Sequence, residues 1–169
     1  MGIYALMNSM WREKPSELRE LLRQRRIRWR REPSVVRIEK PIRLDKARVL
    51  GYKAKQGFVV LRVRVRRGGF SKPRPNSGRR PKAIGVVLHK VNVTMLEEAI
   101  NRCVKKYPNL YPLGGYPLTY DSLYYWFEVV MIDPYHPAII SDPEIKIPAP
   151  LKRRILKKRS KREKYSLGS

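Results

Sequence analysis

Cysteine occurs once in the 169 residues, at Cys103, which excludes an internal disulfide and any cysteine-rich zinc site. Long apolar runs are absent too: none approaches the roughly 18 residues a membrane span requires. The opening stretch, MGIYALMNSM, is too short for a secretory signal and lacks its basic start. Neither an amphipathic membrane-surface helix nor a lipidation signal stands out. A cytoplasmic protein without a membrane partner is the expectation.

Histidine is nearly as scarce. His89 and His136 have no cysteine nearby and no helical (i, i+4) spacing, so neither starts a metal site. Asp133 and His136, in DPYHP, resemble part of an acid–base pair, but the flanking prolines indicate a rigid turn. Glu128 and Asp133 are five positions apart and would face opposite sides of a strand, which argues against a metal-dependent nuclease pair. The glycine clusters match neither the phosphate-cradling P-loop nor the dinucleotide fingerprint. The expectation is a protein with no catalytic residues, metal, cofactor or small-molecule substrate.

Negative charge is the most telling shortage. Asp and Glu total 14 against 39 Lys and Arg, a formal net charge of +25. Self-repulsion on that scale opposes compaction and calls for a polyanion, with nucleic acid the natural candidate. The imbalance is uneven. Lys46 to Leu96 holds fourteen basic side chains and no acid, whereas Ala99 to Pro150 holds four basic and five acidic ones. From Leu151 onward there are nine basic residues and one acid, Glu163. This pattern divides the chain into a basic N-terminal helical arm (1–33), an α+β core (34–150) carrying a long basic loop (67–90), and a basic tail (151–169).

Pro15 and Glu17 suit the start of a helix that Glu32-Pro33 stops, with Leu18, Leu21, Leu22 and Trp29 roughly on one face. Its remaining surface carries Arg23, Arg25, Arg26, Arg28, Arg30 and Arg31 with few acids to offset them, a binding face more than a solvated one. Val35 to Glu39 is a short strand candidate, and Leu44 to Leu50 a helical turn closed by Gly51. In FVVLRVRVR, Phe58 to Arg66, the alternation puts Val59, Leu61, Val63 and Val65 toward a core and Arg62, Arg64 and Arg66 outward in a row. Same-face positions about 6.6 Å apart would let such a row follow a phosphate backbone.

After Arg67 the chain reads GGFSKPRPNSGRRPK, too punctuated by Gly and Pro for helix or strand, and expected to order only against an anion. Phe70 either stacks on an exposed base or tacks the loop to the core, and Asn76 could hydrogen-bond a base. TMLE, starting at Thr94, is a capping box before a core stripe of Leu96, Ala99, Ile100, Cys103, Val104 and Tyr107, in which Cys103 is a small buried hydrophobe. A hairpin then turns near Asp121-Ser122. Pro112, Pro117 and Gly114-Gly115 make its first strand an edge or bulged one, while SLYYWFEVVMI is central, with Leu123, Tyr125, Phe127, Val129 and Met131 on one face. Its aromatics are read as core.

The stretch WRREPSVVRIEKPIRLDKARVLGYKAKQGFVVLRVRVRRGG, Trp29 to Gly69, followed by RPNSGRRPK, KYPNLYPLGGY and WFEVVMIDPYHPAI, resembles the archaeal and eukaryotic large-subunit ribosomal protein fifteen of the "e" type, which is unrelated to the bacterial protein sharing its number. The resemblance runs from about Trp11 to Pro143, and the block ending in GYKAKQG, Gly51 to Gly57, is specific to that family. The chain departs from that family at the hairpin tip, PLTYDS, and in a tail shorter than the long Arg- and Gly-rich arm of many members. The resemblance implies a structural constituent of the large subunit with a small α+β domain, a mostly antiparallel sheet with packed helices. It implies large-subunit rRNA and neighbouring large-subunit ribosomal proteins as partners. The basic helix, the GYKAKQG segment with Lys53 and Lys55, and the RRGG to RRPK loop would be the RNA-contacting parts.

Composition and resemblance together nominate Arg62, Arg64, Arg66, Arg67, Arg79 and Arg80 as a clamp on rRNA, with Phe70, Lys72, Arg74, Asn76 and Lys82 of the loop beside them. Phosphate neutralisation alone does not distinguish RNA from DNA, so a DNA-compacting protein is the alternative. An RNA-processing enzyme using Asp133 and His136 is a third reading.

Overall fold

Both faces of the central strand are covered, and this decides what its arginines do. A computed structural model describes residues 2–69, 77–83, 85 and 93–145. Helices α1 (Ile3–Glu13) and α2 (Ser16–Arg31) lead into strand β1 (Val35–Ile38), the short helix α3 (Leu44–Val49) and strand β2 (Phe58–Arg66). A 3-10 turn at Pro81–Ala83 precedes helix α4 (Met95–Lys106), the hairpin of β3 (Tyr111–Tyr120) and β4 (Tyr124–Ile132), and the short helix α5 (Pro137–Ile140). The strands form one antiparallel sheet in the order β1-β2-β4-β3, so this is the expected α+β architecture.

On one face, Leu61, Val63 and Val65 of β2 pack with Phe127, Val129 and Met131 of β4 against Ala99 and Cys103 of α4. The capping box forms in full: the Thr94 hydroxyl accepts from the Glu97 amide and the Glu97 carboxylate accepts from the Thr94 amide. Burial pushes the Cys103 thiol up to about 12, consistent with a core residue and not a nucleophile. Val104, expected in the stripe, is exposed because the helix touches the sheet along a narrower seam than the apolar residues span.

The other face is covered by the N-terminal helices. Trp11, Leu22 and Trp29 join Val60, Trp126, Val130, Tyr116 and Leu118, with Ala47 and Tyr52 from the α3 region. Trp29 and Trp126 have ring centroids 6.1 Å apart, so α2 is seated on the sheet by its aromatic anchor. Leu21, read as part of the same apolar face, instead points to solvent. Helix α1 has no counterpart among the elements expected from sequence: IYALMNSMWRE lacks an N-cap side chain and acids in its first turn, so it carries few of the usual start signals.

The covering helices overturn one expectation directly. Arg62 and Arg64 do not point outward in a row with Arg66: Arg62 is only 10% exposed, and only Arg66 lies at the open end of the strand. Alternation separates two faces but does not say which of them is wet, and here neither is. The edge character of β3 holds, with register shifts at Pro112/Gly114 and Pro117/Thr119, and β4 lies between β2 and β3. Leu123, assigned above to a core face, sits exposed in the hairpin turn. Phe70, Lys72, Arg74, Asn76, His89 and the tail 151–169 lie outside the described residues.

Candidate nucleic-acid interface

The cationic residues sort into two groups, those engaged within the fold and those left facing outward. Arg62 sits over the Trp29 ring at 4.4 Å and pairs with Glu32 just past the end of α2. Arg64 donates to the carbonyls of Trp29 and Arg30, satisfying the open C-terminal end of α2, while lying 4.7 Å over Tyr124. These two arginines join helix to strand.

Three more arginines hold the β3–β4 turn. Arg26 donates to the Tyr120 carbonyl at 2.6 Å, Arg67 to the Asp121 carbonyl at 3.1 Å, and Arg30 to the Asp121 carboxylate at 2.7 Å. Asp121 also accepts from the amides of Leu123 and Tyr124 at 2.7 and 2.6 Å. Burial alone would raise its carboxyl, but the Tyr124 amide, the Arg30 guanidinium and the Leu123 amide outweigh that and hold it below the usual carboxylate range.

Lys53 and Lys55 of the GYKAKQG segment are likewise committed inside the chain. Both bind Asp142, Lys53 also binds Glu144 at 2.6 Å, and Lys55 donates to the Ala138 carbonyl at 2.9 Å. The lysine contacts hold Asp142 well below the usual carboxylate range. The Gly57 carbonyl accepts from the Asp133 amide at 2.8 Å, completing a clamp on α5. The segment, which the resemblance implies contacts RNA, therefore also fastens the chain beyond β4.

Asp133 and His136 likewise serve backbone. Asp133 accepts from the Tyr135 amide at 3.0 Å, and His136 Nδ1 caps α5 by accepting from Ala138 N at 3.2 Å. Among the described residues, no three His, Cys, Asp or Glu side chains gather as a metal site would, and no helix is long and apolar enough to cross a membrane.

Sequence reasoning missed the buried carboxylate of Glu128. It is fully buried opposite Arg62 on the neighbouring strand and accepts from the Tyr116 hydroxyl at 2.6 Å and from the Ile42 amide at 3.1 Å. Burial raises its pKa despite these donors and despite Arg62. A lone Glu in an apolar strand, YYWFEVVMI, was the available signal.

The cations without a described acid partner include Arg25, Arg28 and Arg31 on α2, Arg66 at the end of β2, and Arg79, Arg80 and Lys82 beside the 3-10 turn. Arg23 adds only a loose pair with Glu20 at 3.7 Å between two exposed side chains. Arg79, Arg80 and Lys82 are all exposed. Lys40, exposed just after β1, belongs with this group.

A helix-covered antiparallel sheet whose acids are largely consumed internally, leaving arginines outside, defines a strongly cationic α+β scaffold protein. The family model described as Ribosomal L15 matches residues 2–168, and the chain belongs to that family, in its archaeal and eukaryotic "e" type. It is a structural protein of the large ribosomal subunit.

Proposed function

We propose that this protein binds and holds together segments of large-subunit rRNA without catalysing a reaction, using the outward cations of α2, the end of β2 and the 77–83 segment. The observation that carries this reading is the division of labour among arginines: acids and carbonyls of the fold occupy Arg26, Arg30, Arg62, Arg64 and Arg67, while Arg25, Arg28, Arg31, Arg66, Arg79 and Arg80 have no described acid partner. Side chains with no described acid partner are left for external anions, and phosphate fits the guanidinium fork in two places. Lys72, Arg74, Phe70 and Asn76, outside the described residues, are further RNA contacts in this reading. Its working place is the ribosome, among rRNA and neighbouring ribosomal proteins.

Purified protein titrated against large-subunit rRNA fragments from 50 to 200 mM salt tests this. On the order of ten single-strand phosphate contacts should lower affinity by several decades over that range. A nearly flat response would remove the electrostatic account. Equal affinity for duplex DNA of the same length would favour a general nucleic-acid compactor instead. Sucrose-gradient sedimentation of tagged protein should show it with large subunits in moderately high salt.

A further inference from the structure

A cleft of about 270 Å³ opens between the outer side of α2 and the chain leaving β1. Its apolar lining is Ile38, Ile42 and Trp29, the last only 4% exposed with the Arg62 guanidinium over its ring. Around it stand Arg25 and Arg28, one helical turn apart on α2, and Lys40 from the opposite side. Arg62 and Glu32, paired with each other, close the remaining wall. Since Glu32 is matched by Arg62, the cleft retains three cations with no described acid partner.

Apolar lining beside three cations with no described acid partner is an unusual pairing for a solvated surface. Its volume falls just below the roughly 300–1,000 Å³ of pockets for drug-sized ligands, which suits a smaller planar group. Unpaired RNA bases are splayed out and held against aromatic and guanidinium planes in this manner, with backbone phosphates on nearby basic side chains. Glu32 adds an acceptor for the exocyclic or ring N–H groups of a base. A peptide of acidic side chains alone fits less well, because Ile38 and Ile42 would meet nothing apolar.

We propose that this cleft takes one unstacked nucleotide of the large-subunit rRNA, its base against the Ile38–Ile42–Trp29 lining and its phosphate on Arg25, Arg28 and Lys40. The proposal rests on the rRNA-binding reading above and narrows it to a pocket that reads a single base position.

The test is ultraviolet cross-linking of large subunits carrying the tagged full-length protein, followed by nuclease and protease digestion and mapping of nucleotide-bearing peptides by mass spectrometry. A nucleotide adduct within 25–42 is expected. The exposed double substitution Arg28→Glu/Lys40→Glu should reduce it about tenfold or more relative to adducts at 77–83 in the same subunits. Should the double variant fail to fold, Lys40→Glu alone gives the same comparison on an exposed coil residue. Adducts at 77–83 with none in 25–42 would overturn the cleft and leave rRNA binding standing. Adducts nowhere would overturn both. Carbodiimide coupling of Lys40 to a carboxylate of a neighbouring protein, without an RNA adduct, would show the cleft to be a peptide site and end the proposal.

Discussion

The Arg62 guanidinium sits 4.4 Å over the Trp29 ring and is simultaneously paired with Glu32, so one side chain of β2 ties down the end of α2 by two contacts. On the strand itself its register partner is the buried Glu128. A helix as basic as α2 would otherwise be repelled by a strand bearing arginines, and these contacts turn that conflict into attachment.

Arg62→Ala should therefore act on stability more than on RNA affinity. Breaking a largely buried ion pair and a cation–π contact together is expected to cost about 2–4 kcal/mol. Arg62→Lys should recover part of this, since an ammonium keeps the charge but not the planar stack. Urea denaturation followed by tryptophan fluorescence reports both. A loss below about 0.5 kcal/mol, the level of an exposed pair, would contradict the buried role.

The outward group should behave in the opposite way. Replacing Arg66, Arg79, Arg80 and Lys82 with Ala should leave the melting temperature nearly unchanged, because these side chains are exposed and have no described acid partner. The slope of log affinity against log salt should fall by about 0.7 for each phosphate contact removed. Comparing the two sets of variants, one in stability and one in salt slope, separates scaffold arginines from binding ones.

That separation is where sequence and structure part. The alternation in β2, the capping box at Thr94, the Pro-limited start of α2 and the bulged β3 were readable because each is a local signal: a period, a cap, a missing donor. The role of Arg62 and Arg64 was not. Whether a strand face meets water or a helix depends on long-range packing, and the apolar seam of α2 is thin, with Leu22 and Trp29 buried amid arginines. The internal pairing of Lys53 and Lys55 escaped for the same reason: their acids, Asp142 and Glu144, lie about ninety residues further on. Outward cations such as Arg79 and Arg80 were legible, since no acid stands near them along the chain.

Glu128 sets a pH dependence of known sign. Burial raises its folded pKa above the ordinary 4.5, so its stabilising contribution is complete below that value and declines as pH rises through the raised folded value. Glu128→Gln removes the titration. The stability of wild type relative to this variant should be flat below about pH 4.5 and fall toward neutrality, read from thermal melts across pH 4 to 8. A wild-type advantage that grows with pH would mean the carboxylate is held ionised instead.

Asp142 sets the opposite slope. Lys53 and Lys55 lower its folded pKa beneath the ordinary 3.8, so its contribution is present above that value and is lost as pH falls through the lowered one. Asp142→Asn should reduce the acid sensitivity of the clamp on α5. The expected readout is faster amide hydrogen exchange at Ile139 and Ile140 in the variant at neutral pH, converging with wild type in acid. Identical exchange at neutral pH would show that the lysine contacts do not hold this segment.

The clamp also makes two glycines of one motif unequal. Gly51 and Gly57 have nearly the same backbone angle, φ +91° and +90°, so Ala at either must adopt a left-handed conformation that costs about 1–2 kcal/mol. A Cβ at Gly51 meets nothing within 4 Å, whereas at Gly57 it would stand 2.5 Å from Ile139 Cγ1 and 3.2 Å from His136 Cβ. Ile139 is fully buried and His136 caps α5, so neither yields easily. Overpacking of this kind adds about 1–3 kcal/mol to the backbone strain. Gly57→Ala should therefore destabilise clearly more than Gly51→Ala in parallel urea titrations. Equal losses would mean that α5 shifts away from the GYKAKQG segment without cost, and that the lysine contacts to Asp142 do not fix its position.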